Sequence, residues 1–269
     1  MSVSLQDIKE AHKRISPYIH KTPVLTSQYF DEIFGFKTFF KCENFQKTGS
    51  FKIRGATNAV FSISDQAAEK GVITHSSGNH GAALAQAALW RGVKCYVVTP
   101  HLSPEVKKKA LQKYKAEVTF SDVMLTSREE ETNKIIAKTG STFIHPYDND
   151  IIIAGQGTSA FELLREVVDL DYLFVPIGGG GGICGSAIAA KSLLPNIKVI
   201  GGEPELADDA YQSFKTGILH PQKPAKTIAD GLRTALSERT FGYIKQYVDD
   251  IVTVTWKGNS ERTCQTELA

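Results

Sequence analysis

Three stretches of this 269-residue chain carry residue types whose spacing could do chemistry. In "QKTGSFKIRGA", Gln46 to Ala56, Lys52 stands directly behind Gly-Ser-Phe at the predicted start of a helix. An ammonium near a helix N-terminus and partly out of water is disfavoured by both the dipole and desolvation. Its pKa should fall, and the neutral amine is a nucleophile. In "HSSGNHG", His75 to Gly81, small polar residues sit where a strand gives way to a helix. They leave backbone N–H groups and the positive end of the helix dipole for a carboxylate or phosphate. A plain Asn- or Ser-capped helix entry fits the same residues. Residues 178 to 182 are five consecutive glycines between the apolar "DYLFVP" and "ICGSAIAAK". Glycine loses much backbone entropy on folding, so such a run implies a backbone that wraps closely around a guest, a phosphate being the best candidate.

The elements that must position these stations read as α/β. Short β-branched runs ("GVITHS", "KCYVVTP", "AEVTFSD", "STFIHP", "DYLFVPI", "IKVIGGEP") alternate with Ala-rich or charged helical patterns, the signature of parallel strands with crossover helices. The N-terminal "SLQDIKEAHKRI" has a Ser-x-x-Asp start and the apolar spacing of an amphipathic helix. The polar turn "HPYDND", around Tyr147 to Asp150, is the expected lobe boundary, with a second crossing near residues 60 to 72. The chain then weaves between a large lobe, residues 1–65 and 150–269, and a small one, residues 66–149, with the ligand cleft between them.

Composition narrows the partner. Lys and Arg total 31 against 29 Asp and Glu, a formal charge of +2 that gives no reason to invoke nucleic acid or a membrane surface. No apolar run approaches the ~18 residues of a membrane span, and the N-terminus lacks a signal-peptide core. Cys42, Cys95, Cys184 and Cys264 are scattered without C-x-x-C spacing, which fits a reducing compartment, and the cytoplasm is expected. The glycine run is not a G-x-x-x-x-G-K-[ST] loop. Glu203 lies ~20 residues on, where a dinucleotide fingerprint would put its ribose ligand. A nicotinamide cofactor, however, leaves the other two stations without a job. The economical combination is a Schiff base between Lys52 and the aldehyde of pyridoxal phosphate, with the phosphate in a glycine loop.

Taken together and in order, "QKTGSFKIRGA", "HSSGNHG", "PIGGGGG", "GGEPELADDAYQS" and "TIADGL" resemble the serine racemase and serine/threonine dehydratase group of fold-type II pyridoxal phosphate enzymes. The resemblance runs from about His20 to Thr255. It implies a two-lobed, tryptophan synthase beta-like fold of twisted, mostly parallel sheets flanked by helices. It implies Lys52 as the cofactor lysine, Phe51 on one face of the cofactor ring, Gly231 near the other, and Asn79 on its 3-oxygen. Gly178, Gly179, Gly180 and Gly181 would hold the phosphate. Ser76, Ser77, Asn79 and His80 would clasp the substrate carboxylate. Ser77 matches the serine that racemases place opposite the lysine, and racemisation needs two acid/base groups on opposite faces; a backbone-capping serine explains Ser77 nearly as well. Glu203, the carbonyl of Ala207 and Asp209 match the divalent cation site, whose oxygen ligands suit Mg²⁺, Ca²⁺ or Mn²⁺. The group's homodimers and a nucleotide effector complete what the resemblance implies about partners.

Lys107 to Lys109 and "SREEETNK" read as solvated helix faces, and His145 as a hydrogen-bonded strand-end residue and not a base. The family pattern stops after "TVT", and "WKGNSERTCQTELA" follows. Two readings stand: a racemase with L-serine and L-threonine dehydratase activity, or a silent truncated variant that acts only by pairing with full-length subunits.

Overall fold

The computed structural model describes residues 2–76, 78–103, 105–122, 124–222 and 227–255. Ser77 and the stretch after Thr255 therefore lie outside the described residues. The chain opens with α1 (Leu5–Ile15), β1 (Val24–Thr26), α2 (Gln28–Phe34), β2 (Phe39–Lys41), α3 (Lys52–Ser62) and α4 (Asp65–Glu69). It continues through β3 (Val72–His75), α5 (Asn79–Arg91), β4 (Cys95–Pro100), α6 (Glu105–Lys113), β5 (Glu117–Ser121), α7 (Leu125–Thr139) and β6 (Thr142–Phe143). The last part is α8 (Asp150–Glu166), β7 (Tyr172–Pro176), α9 (Gly181–Leu193), β8 (Lys198–Pro204), α10 (Asp209–Thr216), α11 (Glu238–Tyr247) and β9 (Asp250–Val254).

All six runs expected as strands are strands. Four form a parallel sheet in the order β5-β4-β3-β6, with Val72 opposite Cys95 on one side and Thr142 on the other. β3 is buried at all four positions, so its sequence shows no alternation. A second parallel sheet, β7-β8-β9, pairs Tyr172 with Lys198 and Ile200 with Asp250. β9 and the antiparallel pair β1-β2 are additions to the sequence reading; they are short, and their side chains are largely half-buried or exposed. α1 begins with the expected capping box, Ser4 and Asp7 each bonding the other's backbone N–H, and buries Ile8, Ala11 and Ile15.

Each sheet has its own core, and α3 lies between them. One core joins α1, α8, α9 and α11 to β7–β9, with Ile153, Ile183, Ile188, Val199, Ile244 and Ile251 among its members. The other gathers Ile53, Ala56, Ala59 and Val60 of α3 with Ala83, Leu84 and Ala87 of α5, Val72 and Val97. α3 packs on both α8 and α5.

The "HPYDND" turn leads directly into α8, which starts at Asp150 because Asn149 caps it by accepting from the N–H groups of Ile151 and Ile152. The glycines of "AGQG" lie inside α8, where helices cross closely. A Cβ on Gly155 would sit 2.6 Å from the Gly55 Cα of α3, and one on Gly185 of α9 would sit 2.2 Å from the carbonyl oxygen of Ile153.

Candidate active site

Lys52 is the first residue of α3, and the N-cap, Phe51, is in a helical conformation with no side-chain cap bond. The Lys52 amine donates to the carbonyl oxygen of Pro146 at 3.0 Å and lies 5.3 Å from the centroid of the Phe51 ring. Loss of water around the amine pulls its pKa from 10.5 to about 8. The lowering expected from the sequence is present, and desolvation is its cause.

"HSSGNHG" runs from the end of β3 into the first turn of α5, as read. The Ser76 hydroxyl oxygen accepts from the N–H groups of Gly78 (3.3 Å) and Gly81 (3.1 Å), shaping the turn. Asn79 opens α5. His80 follows, 3% exposed. Its Nε2 lies 3.2 Å from the carbonyl oxygen of Ile144; since a carbonyl only accepts, Nε2 carries the proton. Its Nδ1 is buried and has no hydrogen-bond partner among the described residues. Burial first, then the positive charge of Lys52, pushes the His80 pKa down to about 3. His145 accepts at Nδ1 from the backbone N–H of Asp148 (2.8 Å) and Tyr147 (3.3 Å), and burial lowers its pKa to about 4. It is the hydrogen-bonded strand-end residue that the sequence implied. Burial also lowers His75. The imidazoles around Lys52 are thus neutral near pH 7.

The glycine run ends in the N-terminus of α9. Gly180 caps that helix at φ +88°, a left-handed conformation that favours glycine, and makes no side-chain cap bond. The first N–H groups of α9 are thereby left to an outside acceptor. The missing side chains are themselves used. A Cβ on Gly179 would fall 2.5 Å from ring atoms of Tyr147, and one on Gly182 would fall 3.2 Å from the Phe51 ring. Gly178 lies against the backbone of Gly231 and Leu232. Phe51, the glycine run and the "ADG" turn are therefore brought together.

What joins all three stations is the segment from the end of the "STFIHP" run into the "HPYDND" turn, to which the sequence assigned no role in the site. Residues 144–147 meet His80 through the Ile144 carbonyl, Lys52 through the Pro146 carbonyl, and Gly179 and Gly181 through Tyr147. Burial raises the Tyr147 pKa to about 12, so its hydroxyl stays protonated.

Comparison with known proteins agrees with this geometry. The family model described as pyridoxal-phosphate dependent enzyme matches residues 15–257. The chain belongs to that family. A serine racemase of Dictyostelium discoideum is 52% identical over 256 residues, covering 94% of this chain and 79% of that protein. A beta-hydroxyaspartate dehydratase of Paracoccus denitrificans is 48% identical over 250 residues, covering 93% and 79%. The solved structure of maize serine racemase matches with a TM-score of 0.93 at 43% identity, covering 95% of this chain and 78% of that one. The fold is that of the fold-type II enzymes, parallel sheets flanked by helices.

The residues present fit the family's cofactor. A desolvated amine, an aromatic ring beside it and an uncapped helix N-terminus approached by glycine converge in one place, as a phosphorylated aldehyde requires.

The expected cation loop is built differently from a cage of side chains. Glu203, at the end of β8, is 2% exposed and accepts from the N–H groups of Ala210 (3.1 Å) and Tyr211 (2.8 Å), so it caps α10. Burial, with the nearby charges of Asp209 and Asp208, raises its pKa to about 7. Ala207 is buried in the turn Glu205–Ala207, and Asp209 is buried at the start of α10. Among the described residues no group of three or more His, Cys, Asp or Glu side chains gathers as a metal site. Glu203, the Ala207 carbonyl and Asp209 therefore lie in one loop, with burial as the main cause of the raised Glu203 carboxyl.

Proposed function

We propose that this member of the family is a serine racemase that also eliminates water from L-serine and L-threonine. The observation that carries the reading is that Phe51 and residues 146–147 touch both the Lys52 amine and the glycine-lined N-terminus of α9, in a chain 52% identical to a serine racemase. The dehydratase relative supports elimination as the companion activity. Nothing found supports the silent-variant reading.

In this reading Lys52 is the residue that would hold the cofactor; Phe51 and Gly231 would flank it, Asn79 would bond it, and Gly178 to Gly181 would receive its phosphate. When bound, the cofactor supplies an electron sink for charge developing at the substrate α-carbon. Lys52 would remove the α-proton, and a pKa near 8 leaves a usable share of neutral amine at physiological pH. Ser76, Asn79 and His80, with Ser77, clasp the substrate carboxylate through the loop that opens α5. Ser77 returns a proton from the opposite face. Glu203, the Ala207 carbonyl and Asp209 would hold Mg²⁺ or Ca²⁺, which would serve a structural and activating role at the β8–α10 loop. Residues 66–149 act as a small lobe that delivers the carboxylate loop to the cofactor lobe. Among the described residues no helix is long and apolar enough to cross a membrane. Cys42, Cys95 and Cys184 are free, which supports placing the enzyme in the cytoplasm.

The test is chiral analysis of serine together with pyruvate release for wild type, Lys52→Ala and Ser77→Ala, with beta-hydroxyaspartate as a parallel substrate. Lys52→Ala should lose both activities. Ser77→Ala should lose racemisation and keep elimination from L-serine. Equal loss of both in the Ser77 variant would overturn the two-base assignment, and turnover of beta-hydroxyaspartate alone would overturn serine as the substrate.

A further inference from the structure

Two residues beyond Lys52 lies the most fully committed side chain of the molecule. Arg54 is 0% exposed. Its Nε and Nη2 donate to the two carboxylate oxygens of Glu43, each at 2.8 Å. Its Nη1 and Nη2 donate to the two oxygens of Glu162 on α8, at 2.8 and 2.9 Å. Thr158 of α8 and Thr22 accept further bonds at 3.1 and 3.4 Å. Lys41 closes the circuit, donating to Glu162 at 2.8 Å and to the Thr22 carbonyl at 2.7 Å. Two cations face two carboxylates, so the network is neutral. His12, 3.7 Å from Glu162, is lowered by burial and adds no charge at pH 7.

Such a network is a poor source of net stability, since desolvation offsets most of the attraction; its better-attested use is to fix one arrangement among several. The arrangement at stake is the roll of α3. Successive helical residues turn by ~100°, so Arg54 points ~200° from Lys52, to the opposite side of the helix. The first turn of α3 has no side-chain cap. A bidentate fork at each of two carboxylates specifies angle as well as distance, which the single bonds of Lys52 to Pro146 and of the Gly55 N–H to Gln156 do not. We infer that Arg54 is a positioning residue: clamped between Glu43 and Glu162, it sets the rotation of α3 and so keeps the Lys52 amine in its water-poor place against Pro146.

The test reads Lys52 directly. An amine-reactive acylating reagent is applied across pH to the cofactor-free protein, and the extent of modification at Lys52 is followed by peptide mapping. Wild type should show a midpoint near 8. Arg54→Lys keeps the charge and removes the fork; its midpoint should rise by about one pH unit and its dissociation constant for pyridoxal phosphate by about tenfold. Glu43→Gln should also raise the midpoint, by about half a unit, although deleting a carboxylate would by charge alone lower a neighbouring lysine. Ile244→Ala, which opens a cavity in the other core, should change neither reading. A folded Arg54→Lys protein with wild-type midpoint and affinity would overturn the inference, as would a lowered or unchanged midpoint in Glu43→Gln if Arg54→Lys does not fold. The inference rests on Lys52 being the cofactor lysine, which borohydride reduction of the wild-type holoenzyme checks separately. Failure there removes that reading while the labelling midpoints still judge Arg54.

Discussion

Lys52 reaches across to Pro146 and donates its amine proton to that carbonyl at 3.0 Å. The bond aims the amine without neutralising it, since a carbonyl accepts equally from an amine and an ammonium. Lys52→Arg, which cannot act as a neutral nucleophile, should show no visible absorbance with added cofactor and no activity, and its permanent charge in a water-poor place should cost about 1–3 kcal/mol in thermal unfolding.

Tyr147 and Gly179 should behave as one unit. Gly179→Ala places a methyl 2.5 Å from the Tyr147 ring, so the variant should bind pyridoxal phosphate about tenfold to a hundredfold more weakly. Adding Tyr147→Ala clears that ring, and the double variant should recover part of the loss. A double-mutant cycle on the dissociation constants gives the coupling, expected at about 1–2 kcal/mol.

The raised pKa of Glu203 has a sign that can be worked out. A carboxyl whose folded pKa lies above its unfolded value favours the fold when protonated, so its contribution is lost as pH rises from ~4.5 through about 7. Without divalent cations, melting temperature should fall between pH 5.5 and 8 by several degrees more in wild type than in Glu203→Gln. Saturating Mg²⁺ should remove that difference in slope if the loop takes the ion. Identical melting profiles with and without Mg²⁺ would discard the cation site.

Two glycine-to-alanine changes inside helices should move stability in opposite directions. On Gly185 the new Cβ would meet backbone, 2.2 Å from the Ile153 oxygen, and the variant should lose about 3 kcal/mol or more or fail to fold. On Gly242, exposed in α11 with nothing within 4 Å, alanine should stabilise by about 1 kcal/mol through helix propensity. Thermal unfolding of the two variants checks both.

Lys52, the α5 entry and the glycine run were legible because each depends on residue types that few other contexts require. The six parallel strands were legible for the same reason, as apolar runs between helical patterns. β1, β2 and β9 were not, because their side chains are mostly half in water and their pairing is carried by backbone. The joining role of residues 144–147 escaped because two of its contacts are made by carbonyl oxygens, which every residue possesses. The Arg54 clamp escaped because Glu162 stands 108 positions away and nothing in "KIRG" announces a buried guanidinium.

The two faces of α3 are unequal. Toward α8 it is keyed by close-set glycines, by the Gly55 N–H bonded to the Gln156 side chain at 3.1 Å, and by the Arg54 clamp. Toward α5 it presents Ala56, Ala59 and Val60 to a run of buried alanines, with little to catch on. Small side chains facing one another make the softer seam, and packed helices accommodate motion by sliding along such seams. A shear along that seam would leave Lys52 travelling with α8, whose glycines pack on α9.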